Sequence, residues 1–337
     1  MSENIKELLF SLCDSVCAGN VRTAADAAKA ELSKYAEVSE QNGNVLGFTG
    51  AGKKTVMLAA HIDEVAFTVT NVDKNGFLTV AKCGGIDLRH LPSRRVVIHG
   101  KKDITGVFCS VPPHLKKGET AFDDISALKI DSLLGKDAEN YISAGDTVTY
   151  AEQACSLLCD RVTAKSLDNR VGVAVLLETA RRLAGKNLPV RVCFALTVME
   201  ELGTRGAVTA AYAVSPDEAV AVDVTFGDGP DVSENDCGKL SGGAMIGISP
   251  VLSKEVGLAL KAAAESANAK YSTEIMSAKT GTDADVISIS KSGVKTGLLS
   301  VPIRNMHTPC EVADIKDVLS AADILTQYLL NGGAADV

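Results

Sequence analysis

The chain has 337 residues, 46% hydrophobic and 23% charged, a globular composition long enough for about two domains. Aromatic residues are 4% with no Trp, and 42 acidic residues against 34 basic ones give a net charge of −8. These values argue against a nucleic-acid binder, which carries a basic field, and against a surface that stacks bases or sugars. The nine Cys are odd in number and irregularly spaced. Neither Cys13 and Cys17 nor Cys155 and Cys159 make a CxxC pair, and Cys193 sits in the apolar run VRVCFALTV. They read as free thiols in a reducing compartment. The first residues, MSENIKELLFSLCDSV, show no basic start and no small-residue cleavage site. No apolar run approaches the ~18 residues of a membrane helix. A soluble, cytoplasmic protein is expected.

In chain order, IKELLFSLCDSVCAG and VRTAADAAKAELSKYA carry apolar positions at three-to-four spacing and predict two helices. NVLGFTG and KKTVMLAA then read as strands separated by the turn Gly50-Ala51-Gly52. From about Phe67 to Arg161 the chain changes in kind. Short β-like runs (FTVTNV, FLTVAKC, RRVVIHG, ITGVFC, DTVTYA) are broken by NG, GG, PP and GD turns, with helix expected only near AFDDISALKI. That pattern predicts a small barrel or sandwich. Beyond Leu167 helix and strand alternate: NRVGVAVLLETARRLA, VRVCFALTV, RGAVTAAYA, EAVAVDVT, KEVGLALKAAAESANA, DADVISISKS (helix), KTGLLSVP (strand) and DIKDVLSAADILTQYLL. The expected fold class is α/β: a mixed, largely parallel sheet flanked by helices, formed by 1–66 plus 162–337 and interrupted by a β domain over 67–161.

Ligands of open α/β sheets gather at the carboxyl ends of the strands. KKTVMLAA runs into His61-Ile62-Asp63, VRVCFALTV into Glu200-Glu201, EAVAVD ends in Asp223, and KTGLLSVP leads on to His307. Asp168 opens the helix that follows the insertion. Taken singly, each has a structural reading. His61 could be a hydrogen-bonding strand end, Asp168 a helix N-cap, Glu200-Glu201 a solvated pair at a helix start, Asp223 a turn cap and His307 a contact for the next helix. Together they bring His or carboxylate from five segments to one sheet edge. A pair of divalent metals explains that convergence, since imidazole and carboxylate suit zinc or cobalt and one carboxylate bridges two ions. Asp168, Glu201 and Asp223 supply three negative charges and a hydroxide a fourth, matching two dications. Asp63 is spaced to hold the second ring nitrogen of His61. One Glu of the pair then remains free as a base, although the spacing does not say which.

The segments HIDE, SLDNRVG, VMEELGTRGA, AVDV, GTDAD and SVPIRNMHTP, in this order, resemble the M42 family of metallo-aminopeptidases over nearly the whole chain. That group includes glutamyl aminopeptidases and the tetrahedral TET peptidases, and some members were once labelled endoglucanase M. The insertion between His61 and Asp168 separates the pattern from the M20 and M28 peptidases, and the chain is shorter than M18 enzymes. The resemblance implies a PDZ-like insertion serving oligomerisation, with a dodecamer as in TET particles, and peptide substrates. It makes Asp168 the bridging ligand, His61 and Asp223 the ligands of one metal, Glu201 and His307 those of the other, and Glu200 the general base. It places Asp63 behind His61 and Asp283 of GTDAD at the substrate amine, while Thr282 caps the next helix. Asn169 and Asn305 depart from the family's common Asp and Tyr. His90, His99 and His114 of the insertion read as structural or interface residues, and Gly84-Gly85 as a turn. A metal-dependent deacylase acting on N-acyl substrates, and a non-catalytic assembly protein, are the competing functions.

Overall fold

The computed structural model of the protein describes residues 2–115, 124–230, 232–234 and 237–334. Three strands come first: β1 (Glu37–Gln41), β2 (Asn44–Thr49) and β3 (Thr55–His61). The next six are β4 (Ala66–Val72), β5 (Phe77–Cys83), β6 (Arg95–His99), β7 (Asp103–Phe108), β8 (Ile130–Asp131) and β9 (Thr147–Tyr150). The last eight are β10 (Cys155–Ser156), β11 (Arg161–Ala164), β12 (Arg191–Thr197), β13 (Glu218–Phe226), β14 (Ala244–Ile248), β15 (Tyr271–Ile275), β16 (Lys295–Arg304) and β17 (Glu311–Asp314). The helices are α1 (Ser2–Cys13), α2 (Thr23–Leu32), α3 (Leu167–Leu183), α4 (Arg205–Val214), α5 (Lys254–Ser266), α6 (Ala284–Ile287) and α7 (Ile315–Leu330).

The large sheet runs β1-β2-β12-β3-β13-β16-β17-β11-β10, with β14 and β15 branching from β16. Its centre, β12-β3-β13-β16, is parallel, and the flanks are antiparallel. The central strands are mostly apolar between their ends because helices cover both faces. Along β3, Val56, Leu58 and Ala60 enter the main core under α1, α2, α3, α5 and α7, while Met57 and Ala59 enter a second core under α4. That alternation is the two-residue period of a strand read on both sides.

Strands β4 to β9 close into an antiparallel barrel of order β4-β5-β8-β7-β6-β9. The expected class, an α/β sheet with an inserted β-barrel, is the one observed. The barrel spans Ala66 to Tyr150, so β10 and the start of β11, inside the 67–161 segment, already pair in the large sheet. Its interior is built around Phe67, whose ring meets Phe108 edge-on at 5.2 Å and Tyr150 at 5.8 Å. His99 ties two strands, contacting Asp103 at 2.8 Å and Thr149 at 2.9 Å, which is a structural role. His90 and His114 are exposed. Part of AFDDISALKI lies outside the described residues, and the remainder makes one 3-10 turn, Ile125–Ala127.

Two expectations of local structure fail. DADVISISKS is helical only over Ala284–Ile287, because its serines and β-branched residues favour helix weakly. The strands β1, β8, β10, β11, β14, β15 and β17 had no counterpart in the sequence reading. The barrel core yields a direct test. Phe67→Ala removes a fully buried ring and its two aromatic contacts, so it should destabilise the barrel by about 3–5 kcal/mol. A shift below about 1 kcal/mol in chemical denaturation would mean that the interior re-packs around the gap.

Candidate active site

Parallel strands point the same way, so their carboxyl ends share one edge of the sheet. Here β3 ends in His61, opposite Thr197 at the end of β12. The turn after β12 carries Glu200 and Glu201, β13 carries Asp223, and the segment after β16 carries His307. Asp168 lies at the start of α3 but is not its cap. Its backbone is extended (φ −78, ψ 106), and Asn169 takes the capping role, its Oδ1 accepting from Gly172 N at 2.9 Å. The N-cap reading of Asp168 is therefore wrong, and its carboxylate is free for the cluster.

Asp168 stands between two histidines. Its Oδ1 is 3.1 Å from His61 Nε2, and its Oδ2 is 3.1 Å from His307 Nε2. Asp223 Oδ1 lies 3.7 Å from His61 Nε2, and Glu201 Oε1 lies 3.2 Å from His307 Nε2. Glu200 Oε2 is 4.0 Å from His61 Nε2. Two sets of potential metal ligands result, His61-Asp168-Asp223 and Asp168-Glu201-His307, each with donor atoms within 4.8 Å of one another. They share Asp168. Two buried atoms of the cluster, His61 Nδ1 and Asp168 Oδ1, have no hydrogen-bond partner. The donor set, imidazole plus carboxylate around orphaned atoms, fits divalent transition metals.

The electrostatics show how crowded the edge is. Burial opposes charge on both histidines, yet the surrounding carboxylates lift His61 well above the imidazole range and His307 to about 11. Burial works against the Asp168 carboxylate too, but His307 and His61 hold it below the usual carboxylate range. Glu200 and Asp283 go the other way. Burial pushes Glu200 up to about 8, with Asp223, Asp283 and Glu201 adding to the shift. Burial raises Asp283 to about 7. Negative charge exceeds what two imidazoles satisfy.

Asp63 faces His61 at ion-pair distance. Its Oδ1 is 3.6 Å from His61 Nδ1, too long for a hydrogen bond. Its carboxylate instead accepts from the main-chain N–H of Glu200 at 3.1 Å and of Glu201 at 3.2 Å, bracing the turn that carries both. Asp283 is buried with Oδ1 unpartnered, its other oxygen accepting from Thr197 Oγ1. Thr282 Oγ1 accepts from Ala284 N at 3.2 Å, as its capping role requires.

Three features were missed. Glu311, buried at the start of β17, accepts from Asp168 N and His307 N. Glu64, beside Asp63, is buried and receives Lys165 at 2.7 Å, Ser166 at 2.6 Å and Arg170 at 3.0 Å, behind the Asp168 segment. Both are acids at strand boundaries, a signal too common to single them out without their partners. The third is Gly84-Gly85, read only as a turn. A Cβ on Gly84 would lie 3.0 Å from Glu201 Oε2, and one on Gly85 would lie 3.0 Å from His307 Nδ1. The barrel turn thus presses directly on two side chains of the second set.

A family model described as M42 glutamyl aminopeptidase matches residues 43–324. The chain belongs to the M42 peptidase family. A putative aminopeptidase of Acetivibrio thermocellus is 33% identical over 85% of this chain and 86% of its own length. Among solved structures, an aminopeptidase from the archaeon Desulfurococcus kamchatkensis is 30% identical, with a TM-score of 0.91, covering 98% of this chain and 95% of that one. A TET1 peptidase of Pyrococcus horikoshii, described as able to assemble into a tetrahedron or a large octahedral shell, is 25% identical. Its TM-score is 0.86, over 96% of this chain and 99% of that one. The protein is a hydrolase of the aminopeptidase class, in a metal-dependent family.

The contact at Gly85 can be tested alone, because this exposed glycine has no positive φ that an alanine could not adopt. Gly85→Ala should leave the melting temperature unchanged while displacing the His307 ring by a few tenths of an ångström. Turnover should then fall on the order of a few-fold, since small misplacements at a reacting centre are costly. Unchanged turnover would show that the ring has slack.

Proposed function

We propose that the protein removes N-terminal residues from peptides with two divalent cations, zinc or cobalt, bridged by Asp168. The observation that carries this reading is the division of Asp168: one oxygen faces His61 and the other faces His307, each at 3.1 Å. One cation takes His61, Asp223 and Asp168, the other Glu201, His307 and Asp168. When bound, the two cations polarise the scissile carbonyl and acidify water. Glu200 belongs to neither set and acts as the general base: its carboxylate takes a proton from the attacking water and returns it to the leaving amine. Burial among acids raises its proton affinity toward that task. Asp63 keeps the Glu200-Glu201 turn in place through their amides. Asp283 pairs with the substrate ammonium. Its unpartnered buried oxygen supports this, and also favours a free amine over the N-acyl group that a deacylase would need.

We also assign to the barrel the joining of subunits into a homo-oligomer, with a dodecamer as the expected form. The assembly described for the P. horikoshii relative supports this, as do exposed Val111, Leu115 and Leu133 on the barrel segment. No helix among the described residues is long and apolar enough to cross a membrane. All nine cysteines are free, which supports work in the reducing cytoplasm.

Three measurements test this reading. Glu200→Gln keeps shape but accepts no proton, so turnover should drop by ~10²–10⁴-fold with both metals retained. Glu201→Gln removes an anionic ligand, so one metal should be lost together with activity. Metal analysis beside kinetics separates the neighbours, and normal turnover in Glu200→Gln would place the base elsewhere. Chelation should abolish activity and lower the melting temperature, with rescue by zinc or cobalt, because ligands that bind only the folded state stabilise it. Full activity after chelation would remove the metal from the mechanism. Light scattering should give a mass many times the 35.1 kDa chain. A fully active monomer at micromolar concentration would rule out assembly as a requirement.

A further inference from the structure

Glu311 touches no donor atom of either ligand set, yet it is tied to both. It is 1% exposed, and its two oxygens are spent on main-chain donors: Oε2 accepts from Asp168 N at 3.0 Å, and Oε1 from His307 N at 2.6 Å. Its own strand locks it there. β17 pairs with β11, where Glu311 faces Ala164, and with β16, where Val312 faces Arg304. β11 leads within four residues to Asp168, and β16 within three to His307. A single carboxylate therefore pins the two segments that must converge.

The backbone between β16 and β17 needs such a pin. Asn305 (φ 57) and His307 (φ 62) both occupy the left-handed region, which non-glycine residues keep only where their surroundings over-determine it. A short bond from N–H to carboxylate is among the stronger restraints available.

We infer that Glu311 is the positioning residue for the second cation: it holds the His307 turn and the Asp168 backbone so that both reach one ion. The inference rests on the two-cation reading above. Glutamine is nearly the same size but offers a single acceptor and sets its NH₂ against the other amide, so one of the two bonds must fail. The His61-Asp168-Asp223 set feels this only at Asp168, which Asn169 also steadies by donating to Val222 O at 2.8 Å. The loss therefore falls on the Asp168-Glu201-His307 set.

The test titrates metal-free protein with zinc against a competing chelator and extracts two dissociation constants per chain, for the unmodified protein and for Glu311→Gln. One of the two constants should weaken about 10–100-fold and the other much less, as for other residues that orient metal ligands. A purely structural role would lower the melting temperature of the metal-free protein and leave both constants alone. That result overturns the inference, as does an equal loss at both sites. If the unmodified protein takes up fewer than two zinc ions, the two-cation reading itself fails and this inference falls with it. Should Glu311→Gln not fold, Glu311→Asp, with both acceptors drawn back by one methylene, is measured in the same way. If neither folds, Glu311 builds the fold and does not tune the site.

Discussion

Asp63, Asp168, Asp223 and Asp283 are buried at one edge of one sheet, half-buried Glu200 and Glu201 lie among them, and the imidazoles of His61 and His307 are the cationic groups they touch. Like charges brought together out of water repel strongly, and the local architecture can be read as a response to that repulsion. Main-chain amides do much of the work. The Glu200-Glu201 turn offers its N–H groups to Asp63, and Asp168 and His307 offer theirs to Glu311. A hydroxyl from Thr197 serves Asp283. These donors stabilise the outer acids and leave both Asp168 oxygens to the histidines. Between His61 and His307 the Asp168 oxygen Oδ1 is left without a hydrogen bond, and a dication is the economical partner there.

The same constraint explains why the scaffold is so apolar. A cluster of acids holds its geometry only on a rigid support, and β3, β12 and β13 are buried almost from end to end, with side chains from both faces locked into separate cores. Behind Asp168, the Glu64 network adds a charged, hydrogen-bonded layer, in which Arg170 is wholly buried against Leu12 O and Glu64. Breaking one partner there would leave an uncompensated charge, so the layer acts as a stiff backing for the active-site edge.

Much of this was legible in the sequence because it rests on local rules. The strands that carry His61, Glu200-Glu201 and Asp223 are apolar runs of strand length, and a parallel sheet has only one edge for their carboxyl ends. Other parts were not legible. β1 and β15 are exposed over most of their length, so no alternation announces them. Asp63 was only half legible: its spacing to His61 was visible, whereas the amides it also serves lie more than a hundred residues further on. Glu311 and Gly84-Gly85 matter only through partners that the fold brings to them. Sequence spacing identifies side chains that share a strand end. It is silent on contacts made by main-chain atoms and by the absence of a Cβ.

The cluster draws its residues from strand ends scattered along the chain, and His307, with the β16–β17 segment that supports it, comes near the end. During synthesis, a chain that has already produced His61, Asp168, Glu201 and Asp223 still lacks the second imidazole. The edge that gathers these side chains is therefore complete only once β16 and β17 have docked.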